Sequence, residues 1–190
     1  AVMTCPPALA QDIESGLVGY WNFDEGSGAT ATDQTGNSNG TLNNMTDLTN
    51  RVDGPLGGAV AFFGTTDHIN VPAYAALNNV KHNITMAFWL RIGEMSDWVS
   101  LFHKMDWNTV GFAVEKSGST DNIYLRIDTV GGATHQGSAL IPMMPDNSWH
   151  HIAFVTTDTN ILAYKDGELI GSTSFDKGSD SVGFSNALDL

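Results

Sequence analysis

Ile84-Thr85-Met86-Ala87-Phe88-Trp89-Leu90-Arg91-Ile92 places Ile84, Met86, Phe88, Leu90 and Ile92 on one side at a period of two. That spacing is the signature of a β-strand with one face against a core. Working outward, short apolar runs recur at 16–23, 59–63, 68–71, 98–103, 110–115, 123–127, 137–141, 151–156, 161–165 and 169–172. Gly, Asn, Asp or Ser closes nearly every run, which is turn chemistry. Lys165-Asp166-Gly167-Glu168 puts Asp-Gly at the tip of a hairpin. Helical periodicity is weak throughout. The pattern predicts an all-β domain, a two-sheet antiparallel β-sandwich of the jelly-roll kind.

The chain has 190 residues, enough for one such domain with its own core. No repeat or linker divides it. Residues 16–190 read as that domain and residues 1–15 as an N-terminal arm or the remnant of a signal peptide, ending in Ala8-Leu9-Ala10. The single cysteine, Cys5, excludes an internal disulfide. No apolar run is long enough to cross a bilayer as a helix. Eight Lys+Arg stand against 21 Asp+Glu, a formal net charge of −13. Such a surface repels nucleic acid and offers no basic patch to an anionic membrane. It suits divalent cations or neutral ligands, or serves solubility alone.

Several stretches resemble, in order, the laminin G-like and pentraxin-like members of the concanavalin A-like superfamily. They are Gly19-Tyr20-Trp21-Asn22-Phe23-Asp24-Glu25-Gly26-Ser27-Gly28, the loop Asp33 to Leu42, Gly57-Gly58-Ala59-Val60-Ala61-Phe62, Ile69-Asn70-Val71-Pro72, Ile84 to Leu90, and Ser148-Trp149-His150-His151-Ile152-Ala153. Tyr164-Lys165-Asp166-Gly167-Glu168-Leu169-Ile170-Gly171-Ser172 completes the set. The resemblance implies the fold and a secreted or cell-surface setting, not a function. Relatives continue past a strand like Ala187-Leu188-Asp189-Leu190 into a further strand near the N-terminus. Its loss would leave a vacant edge for the arm to fill, in its own subunit or the next.

Two loops are candidate sites. Asp33, Asn37 and Asn39 supply oxygen donors in a Gly-rich loop, the kind of set that calcium takes. The resemblance implies a structural calcium nearby. An Asx-turn loop without metal is the alternative. Asp67 follows the Gly64 turn and is expected at the same end as Asp33, as a further metal candidate. The second loop is His103-Lys104-Met105-Asp106-Trp107-Asn108. There Asp106 and Asn108 match calcium-holding positions of pentraxin-like relatives, and Trp107 offers a face to a sugar ring. The alternative is a solvated hairpin. Trp21, Trp89, Trp98 and Trp149 are assigned to the core.

Catalytic signals are missing from the sequence. His150 and His151 diverge as neighbours on a strand, and no H-E-x-x-H or C-x-x-C motif occurs. Glycosidases of the superfamily need two carboxylates about one bond, and no Glu-x-Asp-x-x-Glu run is found. The expectation is a non-catalytic extracellular binding or adhesion module for a glycan or surface protein, with calcium ordering its loops. The alternative is a filament or sheath subunit that self-assembles by strand addition through the arm.

Overall fold

A computed structural model describes residues 14–45, 47–80, 83–93, 99–106, 110–116, 118, 120, 122–128, 134–136, 140–142, 146–174 and 188–190. For 47, 48, 106, 110, 134–136, 188 and 189 it describes the backbone only. The first part holds β1 (Thr30–Ala31), β2 (Gly40–Asn43), α1 (Asp47–Asn50), β3 (Arg51–Gly54), β4 (Gly57–Val60), β5 (His68–Val71) and α2 (Ala75–Asn78). The middle holds β6 (Thr85–Arg91), β7 (Ser100–Asp106), β8 (Val110–Lys116), β9 (Asn122–Asp128), β10 (Thr134–Gln136) and β11 (Ile141–Pro142). The last part holds β12 (Trp149–Thr156), β13 (Asn160–Lys165), β14 (Glu168–Ser174) and β15 (Leu188–Asp189).

All paired strands are antiparallel. The larger sheet runs β1-β2-β5-β15-β7-β8-β9-β10, with β11 also on β9. The smaller runs β14-β13-β12-β6, and β3-β4 form a separate hairpin. The core lies between the two larger layers. Ile69, Val71, Val114, Ile123, Leu125 and Ile127 of one sheet and Ile152, Phe154, Ile161 and Ala163 of the other are fully buried. Phe88 and Phe102 meet across the layers with ring centroids 4.7 Å apart. The expected all-β sandwich is the fold observed.

Local chemistry explains where elements stop. Asp166 and Gly167 both take positive φ, 53° and 85°, as a two-residue hairpin turn requires. Between β13 and β14 the register shifts at Ala163/Tyr164, leaving Ile170 as the bulged residue. Gly58 is needed for another reason: a Cβ there would lie 2.1 Å from the Phe23 carbonyl oxygen, so only glycine lets β4 pass that close.

Some expectations are corrected. Residues 16–23 do not form a strand. Trp21 makes one isolated bridge, to Asp33, and the positive φ at Gly16 and Phe23 breaks extension at both ends. The β3–β4 hairpin was not legible, because Arg51-Val52-Asp53-Gly54 carries a single large apolar residue. His103 to Asp106 are strand, not loop, since β7 runs to Asp106. Lys104 is thereby carried inside, fully buried, with Nζ donating to Asn78 Oδ1 at 3.1 Å. Burial pushes its ammonium down to about 8.

β15 lies between β5 and β7 in the larger sheet. Leu188 pairs with Val71, and Asp189 pairs with both Asn70 and His103. Leu190 and Ile69 exchange both main-chain hydrogen bonds at 2.8 Å. Residues 1–13 of the arm, Cys5 among them, lie outside the described residues, as does Trp98.

Ile152 sits fully buried in the middle of β12, whereas Leu169 on β14 is 56% exposed. Ile152→Ala is expected to cost about 2–5 kcal/mol in urea unfolding. Leu169→Ala should stay within about 0.5 kcal/mol of the parent. Equal losses would contradict the assignment of faces.

Candidate functional site

The loop between β1 and β2 is organised by one carboxylate. Asp33 is 3% exposed. Its Oδ1 accepts from the N–H groups of Tyr20 and Thr35, both at 3.0 Å. Its Oδ2 accepts from the N–H groups of Asn37 at 3.1 Å and Ser38 at 3.0 Å. The Thr35 hydroxyl lies within 2.8 Å of both oxygens. Burial pushes the Asp33 carboxyl up, but these donors outweigh it and hold it below the usual range. Asn39 Oδ1 accepts from Asp33 N–H at 3.0 Å, and Asn37 Nδ2 donates to the Val18 carbonyl at 3.2 Å.

This geometry does not fit a cation at Asp33. A carboxylate offers about four lone-pair directions, and protein donors already occupy them. Each donor also turns a positive hydrogen toward the oxygens. The residues form an Asx-type loop closed on itself.

Asp67 is not at the same end. The β2–β5 register pairs Asn43 with His68 and Thr41 with Asn70, so the Asp33 loop and the Asp67 turn sit at opposite ends of this ladder. Ser38 Oγ reaches the Pro72 carbonyl at one end, and Asn44 Nδ2 reaches the Thr66 carbonyl at the other. Asp67 Oδ2 caps its own turn, accepting from Phe63 and Gly64 N–H at 2.9 Å. Among the described residues no three His, Cys, Asp or Glu side chains gather as a metal cluster. Asp106 ends β7 opposite Val110, and Trp107 and Asn108 lie outside the described residues.

The outer faces of the two sheets differ. On β8 and β9, Glu115 pairs in register with Tyr124, Ala113 with Arg126, and Gly111 with Asp128. These polar side chains are buried: Glu115 6%, Arg126 6% and Asp128 1% exposed. They satisfy one another. Tyr124 donates to Glu115 Oε2 at 3.0 Å, and Arg126 grips both Asp128 oxygens at 3.2 and 2.8 Å. Burial and then the Glu115 charge push the Tyr124 phenol up to about 12.

The small sheet is open. Its outward positions are Thr85, Ala87, Trp89 and Arg91 on β6, and Trp149, His151, Ala153 and Val155 on β12. Asn160, Leu162 and Tyr164 on β13 and Leu169, Ser172 and Ser174 on β14 continue the face. Trp89 is 40% exposed and meets His151 edge-on, with centroids 5.3 Å apart. Arg91 lies 5.0 Å from the centroid of the Trp149 ring. Ala87 and Ala153 stand side by side, making a low floor beside the Trp89–His151 row, with Tyr164 beyond them. Trp89 and Trp149 were expected in the core and are not. The signal was present: if Met86, Phe88 and Leu90 face inward, Trp89 and Arg91 cannot.

At one end of this face His150 bridges two carboxylates, Asp166 Oδ2 at 2.7 Å and Asp146 Oδ2 at 3.2 Å. Asp166 Oδ1 also accepts from His151 N–H at 2.9 Å. Carboxylates only accept, so both contacts are hydrogen bonds only when the imidazole is protonated. The Asp166 bond, then the Asp146 bond, raises the His150 pKa against desolvation and the nearby Lys165.

Comparison with known proteins accords with this fold. A laminin G-type family model, described as the concanavalin A-like lectin/glucanases superfamily, matches residues 63–188. The chain belongs to that family. No curated protein matches it in sequence. Among solved structures, domain 4 of AbnA, a GH43 extracellular arabinanase from Geobacillus stearothermophilus in complex with arabinotriose, is similar at TM-score 0.66 and 18% identity over 92% of this chain and 82% of that one. The botulinum neurotoxin serotype D binding domain is similar at TM-score 0.62 and 15% identity, over 84% of this chain and 40% of that one. The same ligand binding domain in complex with N-acetylneuraminic acid gives TM-score 0.59 at 15% identity, over 84% of this chain and 39% of that one. The chain thus spans about two fifths of the toxin domain. At these identities the likeness is one of fold.

Among the described residues of this laminin G-like sandwich, Glu115 and Asp128 share a sheet face, Glu115 held by Tyr124 and Asp128 by Arg126.

Three outcomes follow. Asp33→Asn puts an amide N–H against main-chain N–H groups and is expected to cost about 1–3 kcal/mol in urea unfolding. Any rise of the midpoint with calcium should survive Asn37→Ala, and its loss in that variant would reverse the fit argument at Asp33. The raised His150 pKa adds stability that is complete below the unfolded value and lost as pH rises through the folded one. The melting-temperature gap between parent and His150→Asn should therefore be wider at about pH 5.5 than at about pH 8.5.

Proposed function

We propose that this laminin G-like domain is a non-catalytic, extracellular glycan-binding module, and that it binds through the outer face of the β14-β13-β12-β6 sheet. The observation that carries the reading is the open aromatic row on that face, with Trp89 40% exposed beside His151 and Trp149. Burying an exposed indole is worth more than burying most side chains, and a flat ring suits the C–H side of a pyranose. The Ala87–Ala153 floor gives such a ring room to lie down. The polar face of β8 and β9 is a weaker candidate, since its charged side chains are buried and committed to each other.

Two fold relatives support the ligand class, one solved with arabinotriose and one with N-acetylneuraminic acid. Rigid strands, not loops, position the aromatic side chains here, so the site needs little ordering on binding.

A glycan array followed by titration of the best hit tests the reading. Trp89→Ala should weaken that hit by about tenfold or more while leaving the melting temperature near the parent value. Saturable binding indifferent to Trp89, or no glycan binding at all, would refute it.

A further inference from the structure

The exposed aromatic face also carries a cation, Arg91, and that bears on the class of sugar, an inference that rests on the glycan-face reading. The chain has three arginines. Two are buried and committed to carboxylates: Arg51 to Glu25 at 2.9 Å, and Arg126 to Asp128 at 2.8 Å. Arg91 is different. It is exposed at the end of β6, two residues from Trp89, with its guanidinium lying over Trp149. Among the described residues it has no carboxylate partner, although the chain holds 21 Asp+Glu. Nor does any outward position of the four strands carry an acid.

We infer that the face selects an acidic sugar, one whose ring rests against Trp89 while its carboxylate pairs with Arg91. The guanidinium presents a planar fork of N–H donors that matches a carboxylate. Stacking on Trp149 holds that plane in place before the ligand arrives, so less freedom is lost in forming the pair. The net charge of −13 sets the limit on size. A long polyanion meets repulsion from the rest of the molecule, whereas a single carboxylate feels mainly what lies within a Debye length, about 8 Å at physiological salt. A terminal uronic or nonulosonic acid on an otherwise neutral glycan meets both conditions.

The test compares methyl β-glucuronide with methyl β-glucoside, which differ only at the carboxylate, by NMR titration of the intact chain. The parent is expected to favour the glucuronide by about tenfold, and less so as salt rises. Arg91→Gln should abolish the preference, leaving the two sugars bound equally. Arg91→Lys should keep part of it, because the charge survives and the fork does not. Equal affinity for the two sugars, with Trp89 still required, would overturn the acidic preference and leave the glycan face standing. Binding of neither sugar would overturn the acidic preference, and the glycan array decides the glycan face separately. Tighter binding of a triglutamate peptide than of the glucuronide would overturn it in favour of an acidic protein partner.

Discussion

The ladder between β6 and β12 gives each side chain two directions, and the core claims one of them. Ile152, Phe154 and their partners Phe88 and Met86 turn inward, where Ile69, Val71 and the β8–β9 aliphatic residues meet them. Their partners on alternate positions have no choice but to turn out. Trp89, Trp149, Arg91 and His151 are therefore exposed as a consequence of packing the other side. A one-residue slip of β12 would exchange the two sets, sending Ile152 and Phe154 to solvent. The cost of that exchange holds the aromatic row in register more firmly than any contact within the row itself.

Charge is handled in two ways. Inside, it is neutralised locally: Arg126 by Asp128, Arg51 by Glu25, and Asp33 by amide N–H groups. Burying such groups is tolerable only when each lone pair or proton is met. Lys104 shows the remaining route, a buried ammonium near one amide oxygen with its pKa pulled down. Outside, the acidic excess stays away from the outward positions of the small sheet.

The Asp166–Gly167 turn links these themes. It closes the β13–β14 hairpin, and the Asp166 carboxylate then ties His150 and the His151 main chain to the rim of the open face. A turn residue chosen for its backbone conformation also anchors the end of the strand that carries Trp149 and His151. Asp33 plays the same double part in the first loop, where it joins Tyr20, Thr35, Asn37 and Ser38. In both places one carboxylate orders the main chain around it.

By itself the sequence determined the fold class, the β6 and β12 strands, the β13–β14 hairpin and the Asp33 loop. Each rests on local chemistry: a period of two, an Asp-Gly tip, or an acid beside the amides it will bind. It misplaced residues 16–23, missed β3–β4, and put Asp67 at the same end as Asp33. Those depend on what lies opposite in space, such as the register that separates the two ends of β2 and β5. Only the tertiary structure decided which outer face stays open. Glu115 and Arg126 alternate outward on their strands as Trp89 and Arg91 do on theirs, yet the first pair is buried and the second exposed. A strand's pattern says which residues share a side; whether anything covers that side depends on the rest of the chain.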